Sequence, residues 1–217
     1  MEFLEIQFSL RGKTLPADHG YALYSAIKNI DLEKLKTSDN NFNQTISISS
    51  ISGIPDKKGV IYLNQESRFR LRCPAEDANK WYRYLQNQVL DLRGHLIRLI
   101  KPQLTIPQSS KTLKSRLVTF KLEDWNSNSA PTYFLQSCQK ALSDLEIKGT
   151  PFIDSNEEGD LALRALKIKG RNCLGYGVIV EDLNDDDSLK LQCYGLGGRK
   201  HFGCGWFYPT KEVNNAT

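Results

Sequence analysis

The sequence predicts an α+β protein of two tandem ferredoxin-like (RRM-like) units, the second degenerate. Three observations carry this. Residues 1–101 read as strand, helix, strand, strand, helix, strand, the βαββαβ order. Residues 102–110 hold Pro102 and Pro107 with little periodicity, as a linker would. Residues 111–217 are strand-rich around one clear helix and end in a glycine-rich loop. The expected domains are therefore 1–101 and 111–217.

The elements follow in order. Glu2 to Leu10 alternates Leu4, Ile6, Phe8 and Leu10 against Phe3, Glu5, Gln7 and Ser9, a strand with one buried face. Asp18 is placed to N-cap a helix over about 19–29. Gln44 to Ser52 spaces Ile46, Ile48 and Ile51 among serines, a second strand with an irregularity near Ser50. Arg68 to Arg72 is the third strand. Ala75 to Leu85 is a helix after Pro74, with Glu76 and Asp77 in its first turn, and Leu96 to Ile100 is the fourth strand. The second half begins with a strand at Leu117 to Leu122 and a helix from Thr132 to Leu145. Strands at 163–168 and 175–180, an acidic turn at 185–187 and a strand-like stretch at 189–194 follow.

The composition is globular: 217 residues, 40% hydrophobic, net charge +4. No apolar run reaches the ~18 residues that span a bilayer, so no membrane partner is expected. The first residues lack a basic and an apolar signal region, so a cytoplasmic location is expected. The five cysteines, an odd number with no C-x-x-C, read as reduced thiols rather than a disulfide framework or a zinc knuckle. Three scattered histidines give no metal signature, and neither a metal nor another cofactor is expected.

The densest signal runs from Gly195 to Gly205, where five of the fifteen glycines enclose Arg199, Lys200, His201 and Phe202. Glycine admits positive φ and close backbone approach, and consecutive amides can form an anion nest. The string is neither a Walker A loop nor a dinucleotide fingerprint. A phosphate backbone suits Gly197, Gly198, Arg199, Lys200 and His201, with Phe202 placed to stack on a base. The alternative is a glycine-rich hairpin with a solvated basic tip.

Two basic triplets extend the footprint. Arg68, Arg70 and Arg72 share one face of a strand, and Lys167, Lys169 and Arg171 repeat the spacing. One such triplet is more simply a solvated face with carboxylates supplied by folding. Two of them with a basic glycine loop point to nucleic acid. Cleavage of RNA without a metal needs a group to take the 2′-OH proton, and histidine suits that near neutral pH. His19, at a helix start five residues before Tyr24, fits a base; a capping or surface role is its alternative. His201 suits phosphate contact, and His95 a structural role.

Four strings together resemble a known family. They are Gly195 to Gly205; Leu15-Pro16-Ala17-Asp18-His19-Gly20-Tyr21-Ala22-Leu23-Tyr24-Ser25-Ala26; Ser67 to Arg72 with Pro74-Ala75-Glu76; and Ser115 to Thr119 with Ile168 to Arg171. The chain resembles the repeat-processing endoribonuclease of type I CRISPR systems, of the RAMP superfamily, in its MYXAN-type branch. The resemblance implies two ferredoxin-like folds and binding of the repeat hairpin of precursor CRISPR RNA. It implies metal-independent attack by the 2′-OH at the hairpin's 3′ base. It also implies retention of the 3′ handle as a subunit of a Cascade complex with other type I subunits. His19 and Tyr24 are the expected catalytic residues, with Ser49 as a second candidate. Ser49 and Ser52 stand where relatives carry a histidine and an arginine. That departure keeps open a non-catalytic, RNA-binding subunit of the same machinery, including one that guides a transposon.

Overall fold

The structure is a computed structural model that describes residues 3–30, 46–122, 125–126, 128–156 and 158–210. The chain forms two compact units. The first comprises Met1–Pro107, Leu166–Cys173 and Lys200–Gly203; the second comprises Gln108–Ala165, Leu174–Arg199 and Cys204–Thr217.

In the first unit the elements are β1 (Phe3–Arg11), β2 (Thr14–Pro16), α1 (Gly20–Asn29), β3 (Ser47–Ile48), β4 (Ile54–Pro55), β5 (Val60–Tyr62), β6 (Arg68–Pro74), α2 (Ala75–Leu85), β7 (Val89–Leu92) and β8 (His95–Thr105). Five strands pair in the order β3-β6-β1-β8-β7, all antiparallel. Without the added edge strand β7, this is the strand order of a ferredoxin-like βαββαβ unit. Register places Phe8 opposite Phe69 and Ile6 opposite Leu71, and these residues join Leu23 and Ile27 of α1 and Ala78, Trp81 and Leu85 of α2 in one core. The predicted alternation in β1 is thus a real face, because successive strand side chains point to opposite sides.

Four features differ from expectation. The linker assigned to 102–110 is strand up to Thr105, because β8 passes Pro102 through an irregularity. Ser9 pairs with Ile100 but Gln7 with Gln103, and Lys101 takes φ 49°. A bulge is where a strand tolerates a residue with no N–H to donate. Asp18 does not cap α1; His19 occupies the cap position with no side-chain cap bond. A second, three-stranded sheet, β2-β5-β4, had no clear sequence signal. Of the expected second strand, Gln44 and Thr45 lie outside the described residues and only Ser47–Ile48 pairs.

The remaining elements are β9 (Leu113–Val118), α3 (Ala130–Asp144), β10 (Thr150–Ile153), β11 (Leu163–Ile168), β12 (Arg171–Glu181), α4 (Asp185–Tyr194) and β13 (Tyr208–Pro209); all lie in the second unit except the β11–β12 tip, Leu166–Cys173, which counts with the first. The second unit's sheet order, β10-β12-β9-β13, repeats the permutation of the first unit, and β11 pairs with β12. The core gathers Phe134, Cys138 and Leu142 of α3, Val178 and Val180 of β12, Leu191 of α4 and Phe207. The chain is therefore a tandem of ferredoxin-like folds. The stretch expected as a strand at 189–194 is helical. Asn184 caps α4 by accepting from the Asp187 N–H at 2.8 Å, and the acidic residues read as a turn form its first helical turn. Carboxylates there complement the helix dipole.

Candidate active site

In the first unit, α1, the Ser49–Ile51 segment and residues 200–203 converge. Residues Lys200–Phe202 form one 3-10 turn. Gly20 opens α1 where any Cβ would stand 2.2 Å from the Phe202 carbonyl oxygen, so only glycine permits the approach. Gly203, with φ 88°, brings the turn against the backbone of Ser49 and Ser50.

Aromatic rings fix the turn on the helix. The Tyr24 ring lies 4.7 Å from the His201 ring and 5.0 Å, edge-on, from Phe202, and Tyr21 is 5.6 Å from Phe202. Such centroid separations suit tilted and edge-to-face aromatic contact. Phe202 is half-buried, packed against the core and against the His201 ring. Tyr24 is 7% exposed, and burial pushes its phenol pKa up, so it stays protonated. His201 is half-buried, and desolvation lowers its pKa, which favours the neutral imidazole. Desolvation also lowers the Lys200 pKa.

His19 has a different environment from the one its position in sequence suggests. It is 1% exposed. Its Nδ1 lies 2.9 Å from the Pro16 carbonyl oxygen, and its Nε2 accepts from the Ile51 N–H at 2.9 Å. A carbonyl only accepts, so Nδ1 carries the proton and the ring is neutral. Both nitrogens face backbone, and neither is open to a substrate. In this geometry the ring links the 49–51 segment to the residues just before α1. Ser49 is also engaged, its Oγ accepting from the Arg70 N–H at 3.2 Å. His95 is structural, its Nδ1 hydrogen-bonded to Thr14 Oγ1 at 2.8 Å.

The two basic triplets part company. Arg72 Nε lies 2.9 Å from Glu5 Oε2, and its side chain is 3% exposed. Arg70 Nε is 3.5 Å from Glu5 Oε1 and bonds Gln7 Oε1 at 3.0 Å. Arg68 bonds the carbonyls of Gln65 and Ser67. Folding supplies Glu5 opposite Arg72 in the register, so one carboxylate serves two of the three arginines. By contrast, Lys167, Lys169 and Arg171 are exposed. None of them makes an ion pair among the described residues. They do not share a strand face as expected, because Lys169 and Gly170 (φ 47° and 82°) form the turn between β11 and β12. Two successive left-handed residues are the mark of a type I′ hairpin. Asp18, missed as a functional contact, accepts from the Lys167 N–H at 2.9 Å.

The glycine loop of the second unit is ordered by its own chain. The amides of Gly195, Gly198, Cys204 and Gly205 donate to Leu191, Thr119, Arg199 and Leu117. Those amides therefore form no anion nest. Gly197, at φ 71°, leaves only 2.5 Å between a Cβ and the Thr119 carbonyl, whereas a Cβ on Gly198 meets nothing within 4 Å. Arg199 also takes positive φ, and its guanidinium donates to Thr119 Oγ1 at 3.3 Å.

The comparisons agree with this architecture. The family described as Cas6 Crispr matches residues 4–212. A relative from Myxococcus xanthus (strain DK1622), described as CRISPR-associated endonuclease Cas6, is 29% identical over 209 residues, which is 96% of this chain and 82% of the relative. A solved structure described as CRISPR associated protein Cas6 superposes with a TM-score of 0.67 at 14% identity, covering 97% of this chain and all of that one (100%). Another, described as an RAMP protein binding different RNA substrates, gives a TM-score of 0.66 at 12% identity, covering 96% and 99%. With two ferredoxin-like folds in tandem and a family match running nearly end to end, the chain belongs to the Cas6 Crispr family.

Proposed function

We propose that this chain is a CRISPR RNA endoribonuclease that binds the repeat hairpin of the precursor and cleaves at its 3′ base. Attack by the RNA's own 2′-OH, without a metal, leaves a 2′,3′-cyclic phosphate and a 5′-OH. The observation that carries the reading is the placement of His201. Its ring is half-open, held on Tyr24 and Phe202, and kept neutral by desolvation. A neutral imidazole near physiological pH is the form a general base requires. His201 takes the 2′-OH proton, water protonates the 5′-oxygen as its bond to phosphorus breaks, and Tyr24 holds the imidazole in place. Lys200, on the same turn, offers positive charge where the phosphorane gathers negative charge. Lys167, Lys169, Arg171 and Arg199 hold the phosphate backbone. The relative named as an endonuclease and the RNA-binding RAMP protein of similar fold support the substrate class.

After cleavage the enzyme keeps the 3′ handle as a cytoplasmic subunit of a type I Cascade complex. The test is incubation with repeat RNA in EDTA. Cleavage that persists in EDTA and stops on 2′-deoxy substitution at the scissile nucleotide supports the mechanism. Cleavage that needs added divalent ions contradicts it.

One observation favours a second reading. His19 and Ser49, at positions where a catalytic group was expected, are both engaged with backbone. A chain that shifts repeat RNA but never cuts it is then a binding subunit of the same complex, without catalytic duty, as a transposon-guiding complex would use.

A further inference from the structure

The second unit contains a cavity of about 660 Å³ lined by Lys121, Leu122, Ser129, Tyr133, Gln136, Ser137 and Lys140. None of these residues belongs to the site described above. The volume lies within the range of small-molecule sites, roughly 300–1,000 Å³. Five of the seven lining residues sit on one stripe of α3 and its preceding turn, Ser129, Tyr133, Gln136, Ser137 and Lys140. At 1.5 Å per residue, that stripe runs about 16 Å along the helix.

The chemistry of the lining is selective. Lys121 and Lys140 supply two cations. Tyr133 is 56% exposed, an aromatic ring left in water on a helix whose opposite face is buried through Phe134, Cys138 and Leu142. The neighbouring 120–122 segment is fixed in place, since the Phe120 and Phe134 rings are 5.4 Å apart and Leu122 packs on the core. Ser137 donates to the Tyr133 carbonyl at 2.8 Å, which leaves its oxygen as an acceptor toward the groove. Cations answer a phosphate, a flat exposed ring answers a base, and Gln136 with the two serines answers base edges and ribose hydroxyls.

We propose that this groove binds a phosphorylated nucleoside unit. Its source is either single-stranded RNA outside the paired stem or a free nucleotide. The RNA source rests on the function proposed above; the nucleotide chemistry does not.

The test is titration calorimetry with adenosine 5′-monophosphate, adenosine and inorganic phosphate, then with decauridine. Adenosine 5′-monophosphate binds more tightly than adenosine or phosphate. Lys121→Gln and Lys140→Gln each weaken it about tenfold, the loss of one charge-assisted hydrogen bond. Tyr133→Ala weakens it about tenfold as well, the loss of one stacked base. These side chains line solvent, and circular dichroism checks that each variant is folded. Decauridine that binds more tightly than the mononucleotide, and is weakened by the same variants, assigns the source to RNA. Mononucleotide binding without decauridine binding assigns it to a free nucleotide. No heat with adenosine 5′-monophosphate at 10 mM, on the order of the weakest binding such a site can show, overturns the proposal. So does binding that all three variants leave unchanged. Failure of repeat cleavage with mononucleotide binding intact would overturn the enzyme reading alone.

Discussion

Replacing His19 by alanine should weaken the fold before it weakens the chemistry. The ring is 1% exposed and joins two backbone groups, the Pro16 carbonyl and the Ile51 N–H, each at 2.9 Å. Truncation leaves both without their partner. Each buried group left unsatisfied costs about 1–3 kcal/mol, and the void left by the ring adds to that. A chain of this length loses about 2–4 °C of Tm per kcal/mol. The two lost partners alone, about 2–6 kcal/mol, should therefore lower Tm by roughly 4–24 °C. His19→Asn keeps a donor near the Nδ1 position but no acceptor for Ile51, so its loss should be intermediate. Thermal melts give the shifts, and single-turnover cleavage well below the variant's Tm gives the rate. Because the 49–51 segment supports Gly203 and hence the 200–203 turn, a modest rate loss is expected. An unchanged Tm with cleavage lost by 10²–10⁴-fold, on the order of a missing general base, would refute this linking role and make His19 the base.

Other outcomes follow from the same geometry. Glu5→Ala should cost about 3–5 kcal/mol by removing the carboxylate paired with the buried Arg72 guanidinium. The joint change to Glu5→Leu with Arg72→Met should recover most of that, and urea melts measure both. Gly197→Val should unfold the loop or the protein, since its Cβ would stand 2.5 Å from the Thr119 carbonyl at φ 71°. Gly198→Val should leave Tm nearly unchanged, so repeat affinity in that variant reports whether RNA approaches the loop. Alkylation at pH 8 should mark the half-exposed Cys173 and Cys193 and spare Cys73 and Cys138, whose burial pushes both thiols up to about 12. Peptide mass spectrometry reads the pattern. Since folding lowers the His201 pKa below its ordinary 6.5, the unfolded chain binds the extra proton first as pH falls. Its contribution to stability should be full above about pH 6.5 and shrink below it, visible as a falling denaturation midpoint. Cleavage should rise with pH through a value below 6.5 and be level by neutrality.

Most of the first unit was legible because its signals were local. Alternation in β1, the proline-led start of α2 and the arginine-rich β6 each read off a short window. The helix at 185–194 was not, because Leu189 and Leu191 alternate as in a strand. The capping pair Asn184 and Asp187 is the signal that decides it. The residue types of the site were also legible, but not their roles. His19 and His201 are indistinguishable by composition. Only folding shows that one ring is enclosed by backbone while the other rests half-open on Tyr24. The carboxylate beside the Arg70 and Arg72 side chains was hidden from the sequence for a similar reason. Glu5 lies far away in sequence and becomes their neighbour only through the β1–β6 register.

The most direct test of the account is single-turnover cleavage of repeat RNA in EDTA by wild type and His201→Ala, with affinity measured in parallel. Loss of the base predicts a rate lower by about 10²–10⁴-fold, with repeat affinity and Tm close to wild type. Cleavage by His201→Ala at the wild-type rate would contradict it.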